Sequence, residues 1–485
     1  MDSQIVSGGF LLKYYAARHS LGHYRSFGVT GIYHFSPCIL ASHSRFTEIL
    51  KFALSKTITR HSTLSFGVVE RLKNDDAHFY RQREINFEDV VEFRPSTALE
   101  KEDDEALGTE IGISHRHCWT EQTRKPGWKI VVVKHEGSSK GRVDIIFVTH
   151  HALADGGSGG SFHKSLYLYL SEAIQLSSPS STWPHQVPET TQPPPSIEDA
   201  FPFPPSATPP TSTPEENTPA PWGAQPPSLP SLDHALILAV PPARLSDILT
   251  FCRTQNITLT SLLHFLTLTY LSTTLPSTEA PSFKAITPYT MRRFTLTPPT
   301  EMVNHISFIS THFPISLTTS LRDLLPSDED SDNERELLKA VASQFQRQIY
   351  DELSFVTHQH FSPALLTQYK LVSTLSSDDS IQEYHEKAMG KKREYAYEIS
   401  NIGVVHLDAP SSQTPKPTGE ETVTLERLVF SQCAMATGPA IGCSVASLAN
   451  GPLSICLTWQ EGIVEEDFVR GLRGYMERRL AGFTA

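Results

Sequence analysis

Hydrophobic and polar positions along this chain switch repeatedly between a two-residue and a 3.6-residue period. Residues 27–33 alternate as a strand, and Phe46, Ile49, Leu50, Ala53 and Leu54 then recur at helical spacing, with Ser44 as the predicted cap. Apolar runs over 128–133 and 143–149 flank a turn-rich stretch, 136–141, and predict a hairpin. Phe162, Leu166, Leu170 and Ala173 then mark one face of a helix that follows a cluster of glycines. The same alternation returns later, with strands over 235–240 and 283–287 and helices over 243–253, 260–271 and 334–353. Near the end, strands over 441–448 and 453–459 flank Asn450-Gly451, a strong hairpin signal. The last helix carries Glu465, Glu466 and Asp467 in its first turn and Arg478 and Arg479 near its end, both favourable with the helix dipole.

One compositional break divides these two series. Between Ser178 and Ser231 fall 17 of the 35 prolines, among Ser, Thr and Gln, a mixture that reads as an exposed, extended linker. The expected organisation is therefore an N-terminal half over 1–178, a linker over 179–230 and a C-terminal half over 231–485. Residues 326–333 read as a solvated acidic loop. A formal charge of −12 repels polyphosphate and argues against nucleic acid as a partner. Six cysteines without a C-x-x-C pair argue against a zinc ribbon or disulfide scaffold and predict reduced thiols. No apolar run suits a signal peptide or a membrane span, so a soluble protein in the cytoplasm is expected. A monomer that binds small molecules is a separate expectation. The amphipathic end over 468–480 leaves room for peripheral contact with the endoplasmic reticulum or lipid droplets.

The segment with the most chemistry is His150-His151-Ala-Leu-Ala-Asp155-Gly156, where an apolar strand runs into the glycine-rich turn. A neutral imidazole accepts a proton at physiological pH, whereas an ionised aspartate only accepts hydrogen bonds and suits holding a turn together. That division of labour points to proton abstraction from a bound hydroxyl or amine.

Several further segments carry a resemblance. Tyr14-Tyr15-Ala-Ala-Arg18-His19-Ser-Leu21-Gly22-His-Tyr24, Pro126-Gly-Trp128, the His150 to Gly159 stretch, Ile286-Thr-Pro288-Tyr-Thr-Met-Arg292, Ser400-Asn401-Ile-Gly403 and the closing 453–462 segment are together similar to the fungal alcohol O-acetyltransferases. These belong to the coenzyme A-dependent acyltransferase superfamily, with chloramphenicol acetyltransferase, plant BAHD enzymes and condensation domains. The resemblance implies an α/β (α+β) fold of two similar domains with a tunnel between them. It also implies acetyl-CoA as co-substrate, no bound cofactor or metal, and an alcohol acceptor in secondary metabolism. An amine acceptor such as a sphingoid base is the alternative. By the same resemblance His151 is the general base of a ternary complex, and Asp155 holds the turn by pairing with Arg292, Arg293 being the rival partner. Gly156 is expected to permit a backbone conformation closed to other residues. His150 is assigned only a packing or bonding role. The Asp-Phe-Gly-Trp-Gly motif of the plant relatives is absent, which leaves Ser431 and Gln432 as candidate oxyanion donors and Asn401 as a tunnel-lining residue.

Three rival readings use overlapping residues. Gly156-Gly-Ser158-Gly-Gly160 fits the nucleophile elbow of α/β-hydrolases, although no later segment supplies both triad partners. His115-Arg-His117-Cys118 and His358-Gln-His360 have metal-ligand spacing but lack a third ligand. A binding module that keeps the same fold without catalysis is the third.

Overall fold

The computed structural model describes residues 4–70, 77–96, 103–135, 138, 140–202, 219–230, 232–324, 331–359, 362–374, 381–407 and 421–483. Eleven of its strands build two sheets. In chain order they are β1 (Phe27–Phe35), β2 (Val91–Ser96), β3 (Trp128–His135), β4 (Arg142–Thr149), β5 (Asp233–Val240), β6 (Phe283–Thr290), β7 (Ile306–Phe313), β8 (Tyr397–Val405), β9 (Val423–Gln432), β10 (Ile441–Leu448) and β11 (Leu453–Gln460). The helices that matter most are α1 (Phe10–Ser20), α2 (His43–Arg60), α3 (Gly156–Ala173), α4 (Leu259–Thr274), α5 (Asp332–Ser354), α6 (Pro363–Thr374), α7 (Ile381–Glu386) and α8 (Glu466–Gly482).

The first sheet has the order β9-β1-β4-β3-β2, and the second the order β5-β11-β10-β8-β6-β7. The predicted hairpins form: β3 pairs antiparallel with β4, and β10 with β11, the latter turning at Asn450 in left-handed backbone. α2 and α3 bury Phe46, Ile49, Leu50, Phe162 and Leu166 against one face of the first sheet. The opposite face meets helix Asp103–His115 and β5, where Ile32, Val131, Ile146, Leu107 and Ile237 form a seam between the halves. Burial on both faces explains why β4 is a near-continuous apolar run with no residue exposed. α4, α5 and α8 cover the second sheet, with α8 docking Val469, Leu472, Met476 and Leu480 into that core. Arg479 of α8 donates to both oxygens of Glu334 at 2.7 and 2.9 Å.

The structure departs from the sequence expectations at four places. Ser42, not Ser44, caps α2, its side chain accepting from the Arg45 N–H. α3 begins at Gly156 and runs through the glycines, because Asp155 and Ser158 form a reciprocal capping box at its start. Strand β9 lies in the C-terminal part of the chain yet edges the first sheet, pairing with β1 from Val423↔Phe35 to Gln432↔Phe27. Finally, the described parts of the proline-rich segment are docked rather than free. His185–Gln186 pairs with Glu84–Ile85, Val187 and Ile197 are buried, and the Trp222 N–H donates to the Ser282 carbonyl. Its middle, 203–218, and most of the acidic loop, 325–330, lie outside the described residues.

No helix among the described residues is long and apolar enough to cross a membrane. All six cysteines are free, with Cys38 and Cys118 exposed and Cys252, Cys433, Cys443 and Cys456 buried. Burial pushes the Cys433 thiol up to about 11 and that of Cys443 to about 12, which suppresses their reactive thiolate. A thiol reagent at neutral pH should therefore titrate two cysteines quickly in the folded protein and the other four only after denaturant is added.

Candidate active site

The site grows from the turn that joins β4 to α3. Asp155 is fully buried at the N-cap of α3, where its Oδ1 accepts from the backbone N–H and the hydroxyl of Ser158, each at 3.0 Å. Arg292, at the end of β6, reaches across from the second sheet. Its Nη1 donates to Oδ2 at 2.6 Å and its Nη2 to Oδ1 at 2.8 Å. The His305 N–H adds a further bond to Oδ2 at 3.2 Å. Burial pushes the Asp155 carboxyl upward, but the Arg292 guanidinium and these N–H donors outweigh it and hold the group below its usual range. Arg293 is exposed, and its guanidinium lies over the Phe294 ring.

The loop over 303–305 continues this stitching between the halves. The Asp155 N–H donates to the Val303 carbonyl, the Val303 N–H donates to Ser158 Oγ, and Asn304 Nδ2 donates to the His151 carbonyl at 2.7 Å. Ser158 is fully buried with its hydroxyl engaged by Asp155, Arg292 and Val303, and it lines neither of the cavities described below. Its hydroxyl is therefore part of a helix cap, which removes the nucleophile-elbow reading. Gly156 serves a different purpose from the expected one. Its φ is not in the left-handed region, and a Cβ there would meet Ile402 Cγ2 at 2.6 Å and Phe430 Cζ at 2.9 Å. Close packing, not backbone freedom, requires the glycine.

His151 is 6 % exposed and sits in an aromatic box. The Tyr15 ring stacks on the imidazole at 4.1 Å and 13°, while Tyr24 and Phe27 lie 5.2 and 5.0 Å away by ring centroid. Nδ1 is buried without a hydrogen-bond partner among the described residues, which leaves Nε2 as the ring nitrogen available to the cavities. Burial pulls His151 down to about 4, opposed by its own carbonyl and by Asp155, so the imidazole is neutral at physiological pH.

Two cavities meet at this ring. The larger, about 940 Å³, is lined by Tyr15, Arg18, Tyr24, His151, Glu398 and Gln432 among others. The smaller, about 360 Å³, runs past His151, Gly156, Arg292, Asn401, Phe430 and Gln432. Gln432 borders both. It accepts from the Tyr24 hydroxyl at 2.8 Å and donates through Nε2 to Glu398, whose carboxyl burial pushes up to about 7.

Ser431 and Gln432 are neighbours on β9 and so point to opposite faces. Ser431 is fully buried, bonded to His115 Nε2 at 2.9 Å, and borders neither cavity. Asn401 lies at a bulge in β8, accepting from the Gly403 N–H at 2.9 Å, and faces the smaller cavity. His150 turns away: its Nδ1 accepts from the Ala152 N–H at 3.0 Å and its Nε2 is 3.4 Å from Glu70. His19, Glu70 and His150 form a cluster of metal-ligand type. The Trp119 N–H donates to His19 Nε2, and the Ala152 N–H to His150 Nδ1, so each ring keeps its proton on the nitrogen facing Glu70. Those nitrogens are donors to the carboxylate and not free lone pairs for an ion. Of the metal-spaced pairs in the sequence, His115 is bonded to Ser26 and Ser431, and His360 lies outside the described residues.

Tyr15, Tyr24, Glu398 and Asn304 complete the site without having been singled out as site residues from the sequence. Tyr15 and Tyr24 stand in the N-terminal segment that carried the family resemblance, which was the available signal. Asn304 and Glu398 are brought in by tertiary packing and have no local signature.

A buried histidine between two cavities, on a turn fastened to a second sheet that lends the first one a strand, defines the class of two-domain, chloramphenicol acetyltransferase-like acyltransferases. The family model for alcohol acetyltransferase matches residues 8–182 and 216–469, and the chain belongs to that family. It is 24 % identical over 477 residues to the probable alcohol acetyltransferase crmB of Aspergillus fumigatus, covering 96 % of this chain and 97 % of that one. It is 22 % identical over 456 residues to the probable alcohol acetyltransferase FCK4 of Fusarium pseudograminearum, covering 90 % and 86 % of the two chains. In fold it resembles the TRI3 trichothecene 15-O-acetyltransferase of Fusarium sporotrichioides, with a TM-score of 0.69 at 12 % identity over 99 % of this chain and 94 % of that one. The first condensation domain of the CDA synthetase matches with a TM-score of 0.57 at 10 % identity over 99 % and 97 % of the two chains. The protein is an acetyltransferase.

Breaking one side of a buried ion pair typically costs about 3–5 kcal/mol, because the partner charge is left uncompensated. Asp155→Ala should lower unfolding stability by that amount, read from the denaturant midpoint at constant slope. A loss below about 1 kcal/mol would show that the Arg292 contact is not holding the turn.

Proposed function

We propose that the protein transfers an acetyl group from acetyl-CoA to an alcohol, with His151 as general base. The observation that carries this reading is that one neutral, buried imidazole borders two cavities, so two substrates approach the same nitrogen from different sides. In the proposed step His151 Nε2 takes the hydroxyl proton as the acceptor oxygen bonds to the thioester carbonyl carbon. Collapse of the tetrahedral intermediate breaks the carbon–sulfur bond, and the imidazolium returns the proton to the leaving thiolate. Both substrates are present together, and no covalent acyl-enzyme forms.

The residues around His151 divide the remaining work. The Tyr15 stack and the Asn304 bond to the His151 carbonyl fix the ring and its backbone. Gln432 has one amide hydrogen committed to Glu398 and a second left for the oxyanion, and such a donor is worth about 2.7–4 kcal/mol. Asp155 accepts from Arg292, Ser158 and His305 and so acts as a fastener, not as a proton acceptor for His151.

A positioned base contributes about 10²- to 10⁴-fold in rate. Release of free coenzyme A from acetyl-CoA, followed with a panel of alcohols, should fall by that factor in His151→Ala while its thermal unfolding matches wild type. Turnover by the variant at the wild-type rate would refute the assignment, and strong labelling of Ser158 by a fluorophosphonate probe would revive hydrolysis.

The depressed basicity of His151 sets the acid limb of the pH profile. The base works when unprotonated, so activity is present above its pKa and lost as pH falls through about 4. The expected profile of kcat/KM holds well below pH 6.5, the ordinary histidine value, and a midpoint at 6.5 would contradict the buried environment described above.

A further inference from the structure

The larger cavity contains a guanidinium that forms no ion pair among the described residues. Arg18, near the end of α1, is 8 % exposed and lines the cavity, and among the described residues its side chain has no hydrogen bond and no ion pair. Its Nε is buried without a partner, and its Cζ lies 5.7 and 5.1 Å from the ring centroids of Tyr14 and Tyr24. Two aromatic faces offset only part of the cost of burying a cation, roughly 0.5–2 kcal/mol each against a desolvation penalty of several. Other buried arginines have polar partners: Arg25 is bonded to Asp233, Arg292 to Asp155 and Arg479 to Glu334, while Arg393, which lines the same cavity, donates to the Met435 and Gly438 carbonyls and to Gln460.

The carboxyls bordering the same cavity supply only part of the missing charge. Glu398 bonds to Gln432 and feels the Arg18 charge, but burial pushes it up to about 7, and Glu352 accepts from Tyr289 and Ser362 and is likewise raised by burial. Glu394 pairs with Lys284, and Asp351 is exposed. At the rim, Lys387, Lys391 and Lys392 are exposed and add positive potential along the approach.

We propose that Arg18 is the binding site for a carboxylate carried by the acceptor, which makes hydroxy acids, rather than plain alcohols, the preferred acceptor class of this cavity. The inference rests on the acetyl-transfer reading for the identity of the second substrate, but not for the existence of the oxyanion site. An acceptor with its hydroxyl at His151 is one source within reach. Arg18 Cζ is 5.1 Å from the Tyr24 ring, which is 5.2 Å from the His151 ring, so the guanidinium carbon lies within about 10 Å of the imidazole. In coenzyme A the arm between sulfur and the nearest phosphate reaches at most about four extended residues, roughly 14 Å. A donor phosphate is therefore the competing source, and the test below separates the two.

The test is calorimetric binding of ω-hydroxyoctanoate and octanol to His151→Ala protein, which cannot turn over, with and without the added change Arg18→Gln or Arg18→Lys. The expected result is at least tenfold tighter binding of the carboxylate probe, a ratio that falls to near one in Arg18→Gln and is partly kept by Arg18→Lys. Equal binding of the two probes, or an equal loss for both in Arg18→Gln, overturns the proposal. A third arm compares coenzyme A with pantetheine, which lacks the phosphates. If Arg18→Gln weakens coenzyme A but not pantetheine, the oxyanion is a donor phosphate and the proposal fails. None of these arms requires turnover, so a failure of the acetyl-transfer reading shows separately, in the coenzyme A release assay.

Discussion

The buried ion pair of Asp155 with Arg292 joins the two sheets beside the two cavities that His151 borders. Both groups are removed from water, and each would be costly alone. The pairing is two-pronged, and the remaining oxygen valences of Asp155 go to Ser158 and His305. That saturation has a geometric result. The start of α3, the end of β6 and the loop over 303–305 are fixed relative to one another, and His151 hangs from the fastened turn with its carbonyl held by Asn304. Loss of the pair would release all three elements together, a coupling no single packing contact could impose.

The environment of the imidazole trades proton affinity for readiness. Burial among Tyr15, Tyr24 and Phe27 makes His151 a weaker base than a solvated histidine, yet keeps it unprotonated across the whole physiological range. Asp155 lies near enough to favour the charged ring, yet its hydrogen bonds go to Arg292, Ser158 and His305 and none to the imidazole, unlike the acid of a catalytic triad.

Much of this was legible in the sequence. Strand and helix periods located β1, β3, β4, β5, β6, β10 and β11 and helices α2, α3, α4, α5 and α8, because each half buries long apolar runs bounded by strong turn signals. The pairing of Asp155 with Arg292 followed from a resemblance, not from spacing, since 137 residues separate them. What local patterns could not reveal were contacts made by folding alone: the docking of Val187 and Ile197 within a proline-rich stretch, and the placement of Asn304 and Glu398 at the site. The Ser431 and Gln432 ambiguity had a simple cause. Adjacent strand residues face opposite ways, and only the register of β9 against β1 decides which one meets the cavities. Gly156 shows the reverse case, a residue whose position was foreseen and whose reason was spatial, with Ile402 and Phe430 closing over its Cα.

The exchange of β9 into the first sheet has a consequence for how the chain is made. During synthesis β1 has β4 on one side, but its other edge stays open until residue 432 of 485 has left the ribosome. The N-terminal half therefore cannot be completed as an independent unit, and the nascent chain carries an unsatisfied sheet edge through most of translation. Closing that edge also brings Gln432 to the two cavities that His151 borders, so the last strand to join the first sheet finishes its hydrogen bonding and a wall shared by both cavities in the same event.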